Sequence, residues 1–377
     1  MSATYTPDMN NTAIYLHAWN LVTITNQRIL SVIHKTFGSF ERAWYEITPW
    51  QLAQLSKRID LIVRKQKIHP EKEWERFQKI QNIRFITHDS AEYPSQLAQL
   101  SNYPFGLYIK GNYNAGTAEK RKNLSVVGTR QPSPYGMVQT QKIIQHLRWY
   151  PVTIVSGLAD GIDSIAHETA LLEQLDTWAV IGHGHHALRE SKHDLARAII
   201  ENNGCIMSEY PPGTPAEKFR FPERNRIIAG LSPVTVVTEA PEKSGANITA
   251  KIAREENREV FALCADIDRV DCQGNLQLIE SHTATPLTSY QALIHGLHLS
   301  QGSEPHGIEQ QLPLQHFTNE NMNIIMREVS YKSSISPTEL IEKTSIKDIS
   351  EVLQTLSLLE IEGLIESVGG EYRATAP

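Results

Sequence analysis

Six short apolar runs alternate with helix-like stretches between about residues 80 and 297, and this alternation restricts the fold more than any other feature of the sequence. The runs are Leu124–Val127, Val152–Val155, Thr177–Ile181, Cys205–Met207, Val234–Val237 and Val260–Leu263. Each is long enough for one buried strand, and the stretches between them, such as 162–174, have the length and periodicity of helices. Single helices between short apolar strands predict a parallel sheet covered by helices on both faces.

The segments on either side of this region have different patterns. Residues 1–78 show helical periodicity with almost no strand-like run, which predicts a helical N-terminal domain. Residues 300–313 are polar and contain Gly and Pro, as linkers do. We therefore expect a helical domain at 1–78, the sheet domain at 79–299, a linker at 300–313 and a small domain at 314–377.

The last of these segments is typical of a winged helix. Residues 336–339, Ser-Pro-Thr-Glu, form a capping box, and a second helix with apolar residues on one face is expected to end at Gly363. A hairpin is predicted around Gly369-Gly370. From residue 312 onwards there are five Lys and Arg against ten Asp and Glu, so this segment would repel phosphate. A protein contact is favoured over direct DNA binding for this domain.

Composition limits the remaining possibilities. The mean hydropathy of −0.34 and the lack of a run of about 18 apolar residues exclude a membrane span. The first residues lack the layout of a secretion signal, and three cysteines without a Cys-x-x-Cys pair predict reduced thiols, so we expect a cytoplasmic protein. The net charge of −6 means that nucleic acid, if bound, must meet a local basic patch.

Loops rich in Gly, Ser and Thr follow the predicted strands. They comprise residues 128–130 (GTR), 156–163 (SGLADGID), 182–186 (GHGHH), 208–213 (SEYPPG) and 239–249 (EAPEKSGANIT). In open parallel sheets ligands bind at the carboxyl ends of the strands, and two of these loops run into helix N-termini, which attract phosphate. The loops together predict an anion-binding crevice.

Residues 218–226, KFRFPERNR, are the most informative stretch. They hold four cationic side chains and one anionic one, with Phe219 and Phe221 between them. Arg and Lys follow a phosphate backbone, whereas aromatic faces stack on unpaired bases. The stretch therefore predicts that the protein binds a single-stranded polynucleotide. If it is extended, Phe219 and Phe221 point to opposite sides, so one is expected in the core and the other at the ligand.

These motifs together resemble one family. Residues 128–136, 156–171, 208–213, 221–232 and 238–253 are similar, in order, to the successive motifs of DNA-processing protein A, the DprA/Smf family. The resemblance covers about residues 80–285, and the run FPERNRIIAGLS is its most specific part. This sequence departs from the family pattern at three places: after the third predicted strand, at Cys264-Ala265 and at Ser281-His282.

The resemblance implies an α/β protein with an extended Rossmann-like sheet, flanked by a SAM-like helical domain and a winged helix. It also implies a non-catalytic homodimer without a cofactor, which binds and protects single-stranded DNA and loads RecA recombinase during natural transformation. Phe221 is then the stacking residue, and Phe219 is expected in the core. The predicted DNA contacts are Gly128, Thr129, Arg130, Ser156, Gly157, Gly182, Lys218, Phe221, Arg224, Asn225, Arg226, Ser244, Gly245 and Lys251.

Other constellations give weaker predictions. His183, His185, His186 and His193 could suggest a metal, but no thiolate or carboxylate spacing completes a ligand set, so no metal is expected. Asp163 and His167 lie four apart on a predicted helix, where such a pair more often fixes a helix end than catalyses a reaction.

An alternative function remains open. Glu209 and Glu239 each follow a predicted strand and could act as general acids or bases, although no nucleophile is placed with either. The same sheet edge could then bind a nucleoside monophosphate and hydrolyse its glycosidic bond, with Glu239 as the acid or base. The sequence lacks the glycine-rich loop usual in such enzymes.

Overall fold

The computed structural model describes residues 9–56, 60–118, 120–299, 320–329, 334–344, 346–361 and 364–374. The chain divides into two compact units, Met1–Gly302 and Ser303–Pro377. The first unit contains a nine-stranded sheet with its helices, and the second contains a two-stranded sheet. The predicted linker at 300–313 lies outside the described residues.

All six apolar runs are strands of one mostly parallel sheet, which confirms the predicted fold class. The strands are β1 (Ile83–Thr87), β2 (Gly106–Gly111), β3 (Lys122–Val127), β4 (Val152–Ser156), β5 (Asp176–Ile181), β6 (Cys205–Ser208), β7 (Val234–Val237), β8 (Glu259–Leu263) and β9 (Thr285–Leu287). Their spatial order is β1-β2-β6-β5-β4-β3-β7-β8-β9. The pairs β1–β2 and β2–β6 are antiparallel, and the others are parallel. Three further strands, β1, β2 and β9, lie outside the six predicted runs.

Helices cover both faces of this sheet, as the alternation predicts. They are α7 (Ala115–Ala118), α8 (Pro134–Gln145), α9 (Ile162–Leu172), α10 (His193–Glu201), α11 (Arg220–Leu231), α12 (Gly245–Glu255), α13 (Gln273–Glu280) and α14 (Tyr290–Gly296). Successive residues of β3 point to opposite faces: Val126 packs in the core that contains Ile143 of α8, and Val127 packs in the core that contains Ile227 of α11. Each strand of the centre is therefore buried on both sides.

The N-terminal region is helical, as predicted. It consists of α1 (Met9–Thr23), α2 (Gln27–Phe37), α3 (Phe40–Glu46), α4 (Pro49–Leu55), α5 (Leu61–Lys67) and α6 (Pro70–Gln78). Its core is built around Trp19, which is fully buried and donates its indole N–H to the Phe40 carbonyl at 3.0 Å. Phe105, just before β2, packs in the same core, so these helices and the sheet belong to one compact unit.

The second unit has the elements of the predicted winged helix. They are α15 (Glu320–Glu328), α16 (Pro337–Lys343), α17 (Ile349–Ile361) and the antiparallel pair β10 (Ile365–Val368) and β11 (Glu371–Ala374). Ser336 and Glu339 form the predicted capping box, and Ile335 makes a further β-bridge to Tyr372. Gly363, the expected end of the second helix, lies outside the described residues. Across the described part of the chain, every helix is too short or too polar to cross a membrane.

Candidate functional site

The strand order of the sheet reverses between β3 and β7, and an open groove lies at this point. From β3 the chain continues through β4, β5 and β6 on one side and returns to β7, β8 and β9 on the other. At such a reversal the loops after the two strands diverge and leave a crevice. The groove here has a volume of about 490 Å³. Of the predicted contact residues, it is lined by Gly128, Thr129, Arg130, Lys218, Phe221, Arg224, Asn225, Ser244 and Gly245.

A second cavity of about 200 Å³ shares Arg130 and Phe221 with the groove, so the two adjoin. The predicted residues Gly157 and Gly182 line this second cavity. Phe221 stands between the two spaces: its half-buried ring lies 5.4 Å from the Arg130 guanidinium and 6.4 Å, edge-on, from the ring of His183. A cation thus packs on an aromatic ring that also faces open space.

The loop that carries Arg130 is fixed by hydrogen bonds to neighbouring segments. The Thr129 N–H donates to the Glu239 carbonyl at 2.7 Å, and the Ile162 N–H donates to the Thr129 carbonyl at 3.1 Å. Gly161 has φ +77°, and a Cβ there would lie 2.4 Å from the Thr129 carbonyl oxygen, so this position requires glycine. The buried Glu239 carboxylate accepts the Ser133 N–H at 2.8 Å and the Ser133 hydroxyl at 2.5 Å.

Arg224 forms the cationic base of the groove. It is 4% exposed and donates to the carbonyls of Gly157, at 2.7 Å, and Val180. A Cβ at Gly157 would lie 2.4 Å from the Arg224 Nη1 atom and 2.6 Å from the Asp163 Oδ2 atom, so only glycine fits between these side chains. Burial lowers the pKa of Arg224 to about 10, while Asp163 opposes this shift. The guanidinium is therefore charged at neutral pH.

Exposed cations surround this buried one. Arg130 and Lys218 are exposed in the lining of the groove, and Lys243 lies in the loop before α12. The Ser244 hydroxyl caps α12 by accepting the Ala246 N–H at 3.2 Å. The N-terminus of α12, a helix of eleven residues, therefore lies at the groove. Four cationic side chains line the same groove, those of Arg130, Lys218, Arg224 and Lys243.

Some predicted contact residues take other positions. Arg226 is buried and its Nη2 atom lies 2.5 Å from the Glu209 carboxylate, so its charge is held inside the protein. Burial raises the pKa of Glu209, and Arg226 opposes that shift. Ser156 is fully buried and donates to the Val126 carbonyl at 2.7 Å. Lys251 lies on an exposed position of α12 that is not part of the groove lining.

The expectation that Phe219 is buried is wrong. Its side chain is 55% exposed, and its ring lies 5.2 Å from the Arg220 guanidinium. Phe219 is the N-cap residue of α11 and already has a helical backbone conformation, so the extended geometry on which the expectation rested is absent there. Phe221 is half-buried and lines the groove, and its contact with a ligand stays a prediction.

Sequence reasoning missed three cations that line the two spaces. Lys243 lines the groove, and Arg189 and Lys192 line the adjoining cavity. The Arg189 guanidinium and the Lys192 ammonium lie 2.9 Å and 2.8 Å from the Asp160 carboxylate, and together they hold the pKa of that carboxyl down at about 2. All three cations lie in segments that follow a predicted strand. Cations in such segments are candidates for the ligand edge of a parallel sheet, and this is how the sequence could have indicated them.

Three of the four loop histidines, and His167, have structural partners. His183, His185 and His193 each hydrogen-bond to a backbone carbonyl. Among the described residues no group of three His, Cys, Asp or Glu could hold a metal ion. His167 is buried against the Thr177 hydroxyl at 2.7 Å, and burial lowers its pKa to about 3. A neutral imidazole in this position supports helix packing.

The comparisons with known proteins agree with this architecture. The family model for DNA recombination-mediator protein A matches residues 84–298, which include the groove and nearly the whole sheet. The chain belongs to this family, DprA/Smf. It is 36% identical to protein Smf of Synechocystis sp. over 75% of this chain and 72% of that protein. It is 33% identical to protein Smf of Escherichia coli over 77% of each.

Two solved structures of the DprA/Smf family are similar to the fold described above. The X-ray structure of DNA processing protein A from Streptococcus pneumoniae is 30% identical, with a TM-score of 0.63, and covers 75% of this chain and 97% of that chain. A Helicobacter pylori structure concerned with the single-stranded DNA binding mode of DNA processing protein A is 27% identical, with a TM-score of 0.51. It covers 57% of this chain and 96% of that one.

The internal role of Arg226 can be tested by stability. Replacing it, as in Arg226→Ala, leaves the buried Glu209 carboxylate without its partner, which costs about 3–5 kcal/mol of unfolding free energy. Thermal and denaturant unfolding measure this loss, and Lys251→Ala is the matched control because Lys251 is exposed. An Arg226→Ala protein as stable as the parent would contradict the structural role.

Proposed function

We propose that the groove binds single-stranded DNA by its phosphates and stacks one base on Phe221, without catalysis. The observation that carries the proposal is the accessible ring of Phe221 among the four cations of the groove, Arg130, Lys218, Arg224 and Lys243. Phosphate binding alone would need only the cations. A ring held among them adds a surface for a base.

The same arrangement favours a single strand over a duplex. The bases of a duplex are paired and stacked on each other, so their faces are not available to a side chain at the surface. An unpaired base can stack on an aromatic ring at a gain of about 1–3 kcal/mol. The single-stranded DNA binding mode of the Helicobacter pylori relative supports this assignment.

The alternative, hydrolysis of nucleoside monophosphates, is less well supported. Its candidate acid or base, Glu239, is fully buried and accepts hydrogen bonds from the Ser133 backbone and hydroxyl. Glu209 is buried in its ion pair with Arg226. Glu239 therefore holds the loop that carries Arg130, Glu209 is neutralised inside the protein, and neither carboxylate is directed at a ligand.

We further propose that the protein acts as a homodimer in the cytoplasm, protects incoming strands during natural transformation and loads RecA onto them. Membership of the recombination-mediator family supports this role. The acidic C-terminal segment, with five Lys and Arg against ten Asp and Glu from residue 312 onwards, favours a protein contact for the winged helix.

Loss of groove cations should weaken binding and flatten its salt dependence. On single strands the logarithm of affinity falls with the logarithm of salt by about 0.7 for each neutralised phosphate. Arg130→Ala and Lys218→Ala should each lower affinity for any sequence and reduce this slope by about 0.7. Fluorescence anisotropy with oligo-dT over a salt series measures both, and Lys72→Ala, an exposed cation on α6, is the control. A folded double variant with unchanged affinity and slope would rule out the groove.

The stacking role can be separated from packing with two phenylalanines. Phe221→Ala should cost about 1–3 kcal/mol of binding free energy with little change in melting temperature, since the ring is only half-buried. Phe219→Ala is the matched control: its ring is 55% exposed and is not part of the groove lining, so binding and stability should both stay unchanged. If Phe219→Ala loses affinity and Phe221→Ala does not, the stacking residue has been misassigned.

The RecA proposal predicts a dependence on the same groove. The full chain should shorten the lag of RecA assembly on oligo-dT that has been coated with a single-strand-binding protein, as followed by RecA ATP hydrolysis. With the Arg130→Ala/Lys218→Ala variant, the lag should be as long as it is when no DprA/Smf protein is added. With the Lys72→Ala variant, the lag should be as short as with the parent protein. Equal acceleration by the double variant would separate RecA loading from this groove.

A further inference from the structure

The ring of His183, in the loop after β5, plays no part in the contacts proposed so far. His183 is 7% exposed and lines the cavity of about 200 Å³ that shares Phe221 with the groove. Its ring stands edge-on to the Phe221 ring at 6.4 Å. The loop is one of the places where the sequence departs from the family pattern, so any role of His183 is particular to this chain.

The surroundings of His183 decide which ring nitrogen can accept a hydrogen bond. Nδ1 lies 2.9 Å from the Gly184 carbonyl oxygen, which can only accept, so Nδ1 carries a proton. Burial lowers the pKa of His183, and the charge of Arg224 adds to this shift, so the ring is neutral at pH 7. In this tautomer Nε2 holds a lone pair and is a hydrogen-bond acceptor.

This Nε2 atom has no partner, yet it is accessible. It makes no hydrogen bond to any residue that the structure describes. The Nε2 atom of His167 and the Nδ1 atom of His185 also lack partners, but they have almost no accessible surface, whereas the Nε2 atom of His183 keeps some. Because the His183 side chain borders the cavity, a ligand in the cavity can reach this acceptor.

The backbone around His183 holds the ring in place before any ligand binds. The His183 carbonyl accepts the Ser208 hydroxyl at 2.7 Å, and the Gly184 N–H donates to the Thr214 carbonyl at 2.8 Å. A Cβ at Gly184 would collide with the Pro211 carbonyl oxygen, so this close approach requires glycine. An acceptor that is fixed in advance costs little to order when a ligand arrives.

The other polar side chains of the cavity lining are hydrogen-bond donors. They belong to Arg130, Arg189 and Lys192. Arg189 and Lys192 share the Asp160 carboxylate, at 2.9 Å and 2.8 Å, so their charges are partly balanced. A phosphate would present only acceptor oxygens, which the Nε2 lone pair repels. The cavity therefore suits a neutral group that carries an N–H donor next to acceptors.

A nucleic-acid base has this chemistry and this size. The cavity has about the room of seven water molecules, which is the scale of one base and not of a whole nucleotide. The edge that a base uses for Watson–Crick pairing carries an N–H donor beside acceptors, and proteins read this edge when the base is unpaired.

We propose that the cavity receives the pairing edge of a second base of the bound strand, whose N–H donates a hydrogen bond to His183 Nε2. This proposal rests on the single-strand binding proposed above. Arg130 and Arg189 lie in the same lining and donate to the acceptors of that base. In a duplex the pairing edge is occupied by the complementary base, so the contact selects single strands independently of stacking on Phe221.

The test compares oligo-dT with the same strand made from 3-methylthymidine. The methyl group replaces the N–H of thymine and leaves both carbonyls and the stacking face in place. The full chain should bind the methylated strand about three- to tenfold more weakly, which is the effect of one lost hydrogen bond. Fluorescence anisotropy at neutral pH measures both affinities.

Two variants of similar size separate a lost hydrogen bond from a clash with the methyl group. His183→Gln keeps an acceptor oxygen near the place of Nε2 and should keep the preference for oligo-dT. His183→Leu has no acceptor and should bind the two strands equally. A clash with the methyl group would instead act alike in both variants. His186→Ala is the control, because His186 is an exposed neighbour outside the cavity lining and should behave as the parent.

The proposal is overturned if the parent binds the two strands equally, or if His183→Leu and His183→Gln show the same preference. The outcome also separates this proposal from the one on which it rests. Tight binding of oligo-dT without a preference over the methylated strand contradicts only the role of His183. No binding of oligo-dT contradicts both.

Discussion

The buried guanidinium of Arg224 is the interaction on which the groove depends. It reaches from α11 to the carbonyls of Gly157 and Val180 and so ties together the ends of β4 and β5. Because these carbonyls are neutral, the charge of Arg224 is balanced only in part, by Asp163 on the other side of Gly157. The fold thus places a fixed positive charge beneath the groove, and the exposed cations around it add to a potential that already exists.

Much of this fold follows from local sequence. The six central strands are apolar because both of their faces are covered, and such runs are visible without tertiary information. β1 is the edge strand and mixes polar with apolar residues over Ile83–Thr87, so its pattern is weak. β2 is buried over its first four residues, but its apolar run is short and stands between Gly106 and Lys110. β9 has only three residues, too few for a periodicity to emerge.

The site was predictable in position but not in every side chain. Motif loops at strand ends located the groove, since the topology of parallel sheets fixes which ends meet. The run 218–226 predicts binding without showing which of its cations are buried, whereas the helical spacing of Arg220, Arg224 and Ile228 places these three on the buried face of α11. That periodicity was present in the sequence. The exposure of Phe219 was not, because it depends on which segments cover the start of the helix.

The attachment of the Arg130 loop to Glu239 has a consequence for the energetics of recognition. Backbone hydrogen bonds to Thr129 and Ser133 hold this loop in place before any strand arrives. In the DNA binding proposed above, association then orders little of the protein, and most of the lost conformational entropy belongs to the polynucleotide. DNA strands that are already flexible and weakly stacked can fit a groove of fixed shape, whereas purine tracts must first give up their own stacking. A groove that holds phosphates and one stacked base, as proposed above, can in this way still discriminate among sequences by their stiffness.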